Sequence, residues 1–86
     1  MISAIVMIKV KAGDLEALLR SLNSLPQTRE VYTVYGIYDV ILKLEVESKQ
    51  ELREIINRKI REIENVFSTV TMVVNDGPPS QMAMNS

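Results

Sequence analysis

From Val40 to Val46 the chain alternates: Val40, Leu42, Leu44 and Val46 share one side of an extended backbone, and Lys43 and Glu45 take the other. A period of two is the mark of a strand with one covered face. Whatever else this chain does, it must supply a cover for one side of a sheet. A second β-rich run, Val31 to Tyr35, lies just upstream, and Gly36 stands between the two. The pair reads as a hairpin hinged at Gly36-Ile37-Tyr38-Asp39.

The cover comes from two stretches of helical period. Asp14 is a plausible N-cap after Gly13, and Leu15, Leu18, Leu19, Leu22 and Leu25 recur at helical spacing until Pro26 stops them. Ser48 and Glu51 fit the capping box. The helix they open carries Leu52, Ile55, Ile56, Ile60 and Ile63 on one stripe, with Arg53, Arg58, Lys59, Arg61 and Glu62 mostly outside it. Ile2 to Val10 is a first strand, closed by Lys9 and Lys11, and "ENVFSTVTMVVN" is a fourth.

The order is β-α-β-β-α-β. Two right-handed β-α-β crossovers joined by a hairpin give an α+β, ferredoxin-like sandwich: a four-stranded antiparallel sheet with both helices on one face. Residues 1–75 are expected to form this domain, and residues 76–86, "DGPPSQMAMNS", an extended tail without period.

Composition narrows the chemistry. The 86 residues contain no Cys, His or Trp. That excludes disulfides, thiolate zinc sites and Ser-His or Cys-His nucleophiles, and it removes the commonest metal ligand. No cofactor or metal is expected. A formal charge of −1 lacks the basic footprint of direct nucleic-acid binding. No apolar span approaches the roughly 20 residues that cross a bilayer, and the apolar start has no positive region before it. The expectation is a soluble, cytoplasmic protein without a membrane partner.

Helices on one side leave the other side of the sheet open. If Ala4, Val6, Ile8 and Val10 face the helices, then Ile5, Met7 and Ile41 face away. The parity of the flanking strands stays open: Val31 and Tyr35 or Tyr32 and Val34; Phe67 and Val73 or Val70 and Met72. Either choice leaves an apolar face of roughly 400 Å² in plan. A face of that size calls for a partner, and self-association is the expectation.

The Gly-x-Tyr-Asp of "YGIYD" and the Ser-Thr-x-Thr of "FSTVT", in that order and on those strands, resemble the effector-binding module of the Lrp/AsnC family, the RAM domain. The resemblance runs from about Ile2 to Asn75. It implies a homo-oligomer: dimers formed through the sheets, assembled into rings, commonly of four dimers. It also implies amino-acid effectors in clefts between dimers, bounded by the hairpin turn and the fourth strand of neighbouring subunits. Family regulators carry a helix-turn-helix domain ahead of this module, whereas this chain begins at the first strand. The resemblance therefore implies a stand-alone module, a sensor by itself or a partner of a full-length Lrp/AsnC-type regulator.

Under that resemblance the ligand-binding residues are Gly36, Ile37, Tyr38, Asp39, Ser68, Thr69 and Thr71. Gly36 lets a carboxylate approach turn amides, with Ile37 supplying backbone. Asp39 can pair with an ammonium, Tyr38 offers an aromatic wall, and the hydroxyls donate or accept. Each has a plainer reading. Gly36 can serve only the turn, Asp39 can bond the turn's own amides, the threonines suit any strand, and the tyrosines pack. Three other functions compete: an ACT-like regulatory domain, a small dimeric α+β barrel enzyme using Asp39 or a Tyr as acid or base, and a purely structural assembly protein.

Overall fold

The computed structural model describes residues 1–11 and 13–74. The elements are β1 (Ile2–Val10), α1 (Leu15–Asn23), β2 (Thr28–Thr33), β3 (Val40–Val46), α2 (Lys49–Glu54), a π-helical segment (Ile55–Ile60) and β4 (Val66–Val73). The strands form one antiparallel sheet in the order β2-β3-β1-β4. This is the expected ferredoxin-like arrangement. The tail expected over residues 76–86 lies outside the described residues.

The core follows the alternation. Ala4, Val6 and Ile8 of β1 stand opposite Leu44, Leu42 and Val40 of β3, and all six are fully buried. Leu18 and Leu22 of α1, with Leu52, Ile55 and Ile60, join them in one cluster. Both helices therefore cover the same face of the sheet.

Local signals set the helix ends. Asp14 Oδ1 accepts from the Ala17 amide at 3.1 Å, and Ser48 Oγ accepts from the Glu51 amide at 3.1 Å. Glu51 Oε1 reaches back one residue beyond the usual box and accepts from the Glu47 amide at 2.7 Å.

Two elements depart from the periodic reading. β2 begins at Thr28, ahead of the Val31 that opens the β-rich run in the sequence, because the ladder to β3 needs backbone groups and not apolar side chains. Thr28 Oγ1 donates to Leu22 O at 2.6 Å, tying the strand's start to α1. The strand stops at Thr33, where the chain opens into a loop closed by Val34 N donating to Asp39 O at 2.9 Å.

The second helix widens after Glu54. Arg61 N donates to Ile56 O at 2.9 Å, five residues back. The wider turn brings Ile60, five positions after Ile55, onto the core beside it, and both are buried.

The register also resolves the parity of the outer strands. Tyr32 stands opposite Ile41, Ile41 opposite Met7, and Met7 opposite Val70. One row of large apolar side chains thus crosses all four strands on the open face. Ile5 and Met72 form a neighbouring pair. Tyr32, Val70 and Met72 are exposed.

Candidate functional site

The hairpin end is built around Asp39. Its amide donates to Ile8 O at 2.9 Å, the last backbone rung between β3 and β1. One rung further, Asp39 Oδ2 accepts from the Val10 amide at 2.9 Å. The carboxylate thus takes the place of a strand carbonyl where β3 turns away. Lys9 Nζ lies 3.9 Å from the same oxygen. Asp39 therefore bonds the neighbouring strand, where the plainer sequence reading had it bonding the turn's own amides.

Gly36 sits at φ +151°, a conformation that residues with a Cβ rarely adopt, and among the described residues none beyond its two chain neighbours has an atom within 4 Å of where a Cβ would stand. Within one chain the glycine serves the backbone and leaves its surroundings open. Tyr35 and Ile37 on either side are exposed, while Tyr38 is half-buried. A recess of about 240 Å³ lies at the hairpin's base, walled by Leu15, Thr33, Val34, Tyr35 and Asp39.

On β4 the predicted hydroxyls divide between the two faces. Ser68 stands opposite Lys9, on the open side. Thr69 and Thr71 stand opposite Ile8 and Val6, on the helix side. Thr71 borders a groove of about 310 Å³ between β4 and the second helix. Leu52, Ile56 and Val73 supply its apolar lining, and Lys49, Arg53 and Asn57 its polar rim.

Within one chain, then, the sequence-predicted residues form two groups. Gly36 to Asp39 gather at one end of the sheet, with Ser68 on the far side of Lys9. Thr69 and Thr71 lie along the β4 edge, Thr71 beside a groove. Sequence reasoning missed Lys9 as the neighbour of Asp39 and Lys49, Arg53 and Asn57 as neighbours of Thr71. A signal for one of them was present: Arg53 lies off the apolar stripe of its helix.

Elsewhere on the open face, the Tyr32 hydroxyl donates to Glu30 Oε2. That hydrogen bond, with the carboxylate's charge, raises the phenol pKa above its ordinary value. Among the described residues no group of three or more His, Cys, Asp or Glu is placed to hold a metal ion. No described helix is long and apolar enough to cross a membrane.

A family model described as the Lrp/AsnC ligand binding domain matches residues 3–82. The HTH-type transcriptional regulator FL11 of Pyrococcus furiosus is 36% identical over 73 residues, which cover 85% of this chain and 48% of that protein. The chain spans about half the length of this curated relative. TTHA0845 from Thermus thermophilus superposes with a TM-score of 0.84 at 31% identity, over 93% of this chain and 100% of that one. A homocitrate synthase of Sulfurisphaera tokodaii is 38% identical over 58 residues, 67% of this chain and 12% of that enzyme.

Proposed function

The chain belongs to the Lrp/AsnC ligand-binding domain family, and from that premise we propose that it is a regulatory module that binds an amino-acid effector where its own copies meet. The open sheet face carries this reading. Its row Tyr32–Ile41–Met7–Val70 is large, apolar and continuous across four strands. A second copy is the natural cover, since a face of this kind is uncommon on a monomer.

The division of the candidate residues supports the same reading. The hairpin end offers turn amides around Gly36 and the free oxygen of Asp39 for a carboxylate and an ammonium. The β4 edge offers Thr69 and Thr71 from a separate part of the surface. Copies packed side by side would join one chain's hairpin to another's β4. An effector held at that seam favours the assembled state by its differential affinity, which is sufficient to regulate. A transcription regulator of the FL11 kind is the expected target, either as a co-assembling partner or as the protein to which such a module is joined.

The match to part of a homocitrate synthase favours a second reading, in which the module governs an enzyme. The seam and its ligand would be the same, and the output would differ.

Calorimetric titration with the common amino acids, run beside sedimentation with and without ligand, tests the proposal. Heat of binding with a change in assembly is the expected result. A monomer indifferent to every amino acid overturns it.

A further inference from the structure

The groove beside Thr71 carries a charge imbalance. Lys49 and Arg53 sit one helical turn apart on its rim, and among the described residues no acidic one lines it. Among the described residues neither cation is within ion-pair distance of a carboxylate; the ion pairs formed are Lys9–Asp39, Arg20–Glu16 and Arg29–Glu45. Like charges four residues apart on a helix repel. An anion seated between them removes that repulsion.

Below the cations the lining changes character. Leu52, Ile56 and Val73 make an apolar floor, and the Thr71 hydroxyl and Asn57 amide add neutral hydrogen-bonding groups. Ile56 and Asn57 come from the π-helical segment. This kind of turn is often found at functional sites. A volume of about 310 Å³ is at the small end of ligand pockets. The complement is a compact molecule with a short aliphatic body and a negatively charged end.

We infer that the effector is an amino acid with an acidic side chain, its side-chain carboxylate held by Lys49 and Arg53 over the Leu52–Ile56–Val73 floor. The inference rests on the amino-acid reading above and extends it from a seam to a ligand class. Thr71 links the two, as a member of the predicted effector site and a wall of the groove. The guanidinium of Arg53 suits a carboxylate by its planar pair of donors, and Lys49 adds a point charge.

The test is a set of calorimetric titrations on the full chain. L-Glutamate and L-aspartate are compared with L-glutamine and L-asparagine, which match them in shape but lack the charge. Glutarate is included as a dicarboxylate without an amine. The expected result is that at least one acid binds ten-fold or more tighter than its amide. Lys49→Gln with Arg53→Gln should erase that preference, with the acid losing about ten-fold or more in affinity and no longer binding tighter than its amide. Lys49→Glu with Arg53→Glu should shift the preference toward L-lysine.

Equal binding of acids and amides, or a preference unmoved by both double variants, overturns the inference and leaves the amino-acid reading standing. Glutarate binding as tightly as glutamate in wild type, lost in the Gln variant, with no response to any amide, overturns the amino-acid reading and keeps the anion groove. No heat from any of these ligands overturns the assignment of the acidic class. Circular dichroism of each variant confirms that the comparison is between folded proteins.

Discussion

Asp39 Oδ2 accepts a hydrogen bond from the amide of Val10 at 2.9 Å, across 29 positions of sequence. A side chain thereby adds one rung to the β1–β3 ladder just ahead of the first residue of β3. The same carboxyl group is the one proposed to meet an effector's ammonium. Its two oxygens permit both tasks, because Oδ2 faces the strand and Oδ1 has no partner among the described residues.

The two tasks separate by substitution. Asp39→Asn keeps an acceptor for Val10 and loses the charge; Asp39→Ala loses both. Urea unfolding should put Asp39→Ala about 1 kcal/mol below wild type, the worth of a partly exposed hydrogen bond to a charged group. Asp39→Asn should fall by less than half of that. Effector affinity should drop in both, by about ten-fold or more. A stable Asp39→Asn with unaltered affinity would remove Asp39 from the site.

Gly13 and Gly36 are expected to differ in their response to alanine. Both occupy positive φ, at +156° and +151°. Gly36 has open space around it, so Gly36→Ala bears backbone strain alone, on the order of 1–3 kcal/mol. A Cβ on Gly13 would lie 2.7 Å from Asn65 Oδ1. Asn65 in turn bonds Asp14 O at 3.0 Å through its side chain and Lys11 N at 2.7 Å through its carbonyl. Gly13→Ala disturbs that latch, and should cost about 1 kcal/mol more than Gly36→Ala in the same unfolding experiment.

Met7 stands in the middle of the apolar row, between Ile41 and Val70. Met7→Asp places an unpaired charge where a second copy would dry it. Sedimentation equilibrium should show self-association weakened by about ten-fold or more, with the far-ultraviolet spectrum unchanged. Lys43→Asp, on the same face but off that row, is the control expected to change association less.

Tyr32 should ionise above its ordinary value, because the Glu30 hydrogen bond and charge favour the neutral phenol. The sign follows from linkage. A raised folded-state pKa gives a contribution to stability that is full below the unfolded value, about 10, and is lost as pH rises through the folded one. Tyrosinate absorbance in wild type and Glu30→Gln checks this, with the variant's Tyr32 component moving to lower pH.

Much of this molecule is legible in its sequence because apolar spacing and capping are local. Val40 to Val46, Asp14 and Ser48 each announce their element within a few residues, and the element order then leaves one reasonable topology. The start of β2 was not legible. Thr28 enters the ladder through backbone groups, which side-chain pattern does not report. The π-helical turn was hidden for a related reason: Leu52, Ile56, Ile60 and Ile63 also satisfy an ordinary helical stripe. The faces of β2 and β4 needed register, a property of pairs of strands and not of either alone.

The candidate site was legible as residue types and not as a place. "YGIYD" and "STVT" gave the chemistry. The register alone separates Ser68 from Thr69 and Thr71, and the packing of the second helix alone brings Lys49 and Arg53 beside Thr71.

β1 lies between β3 and β4, so the domain's earliest strand is flanked on one side by its last. That pairing closes nearly the whole length of the fold into a single loop, the slowest kind of contact to make. A nascent chain can assemble β1, α1 and the hairpin early, but it must carry a bare flank of β1 until Val66–Val73 has been made. The edge from which Thr71 borders its groove is thus the last piece to arrive, and ligand competence should appear only when folding is complete.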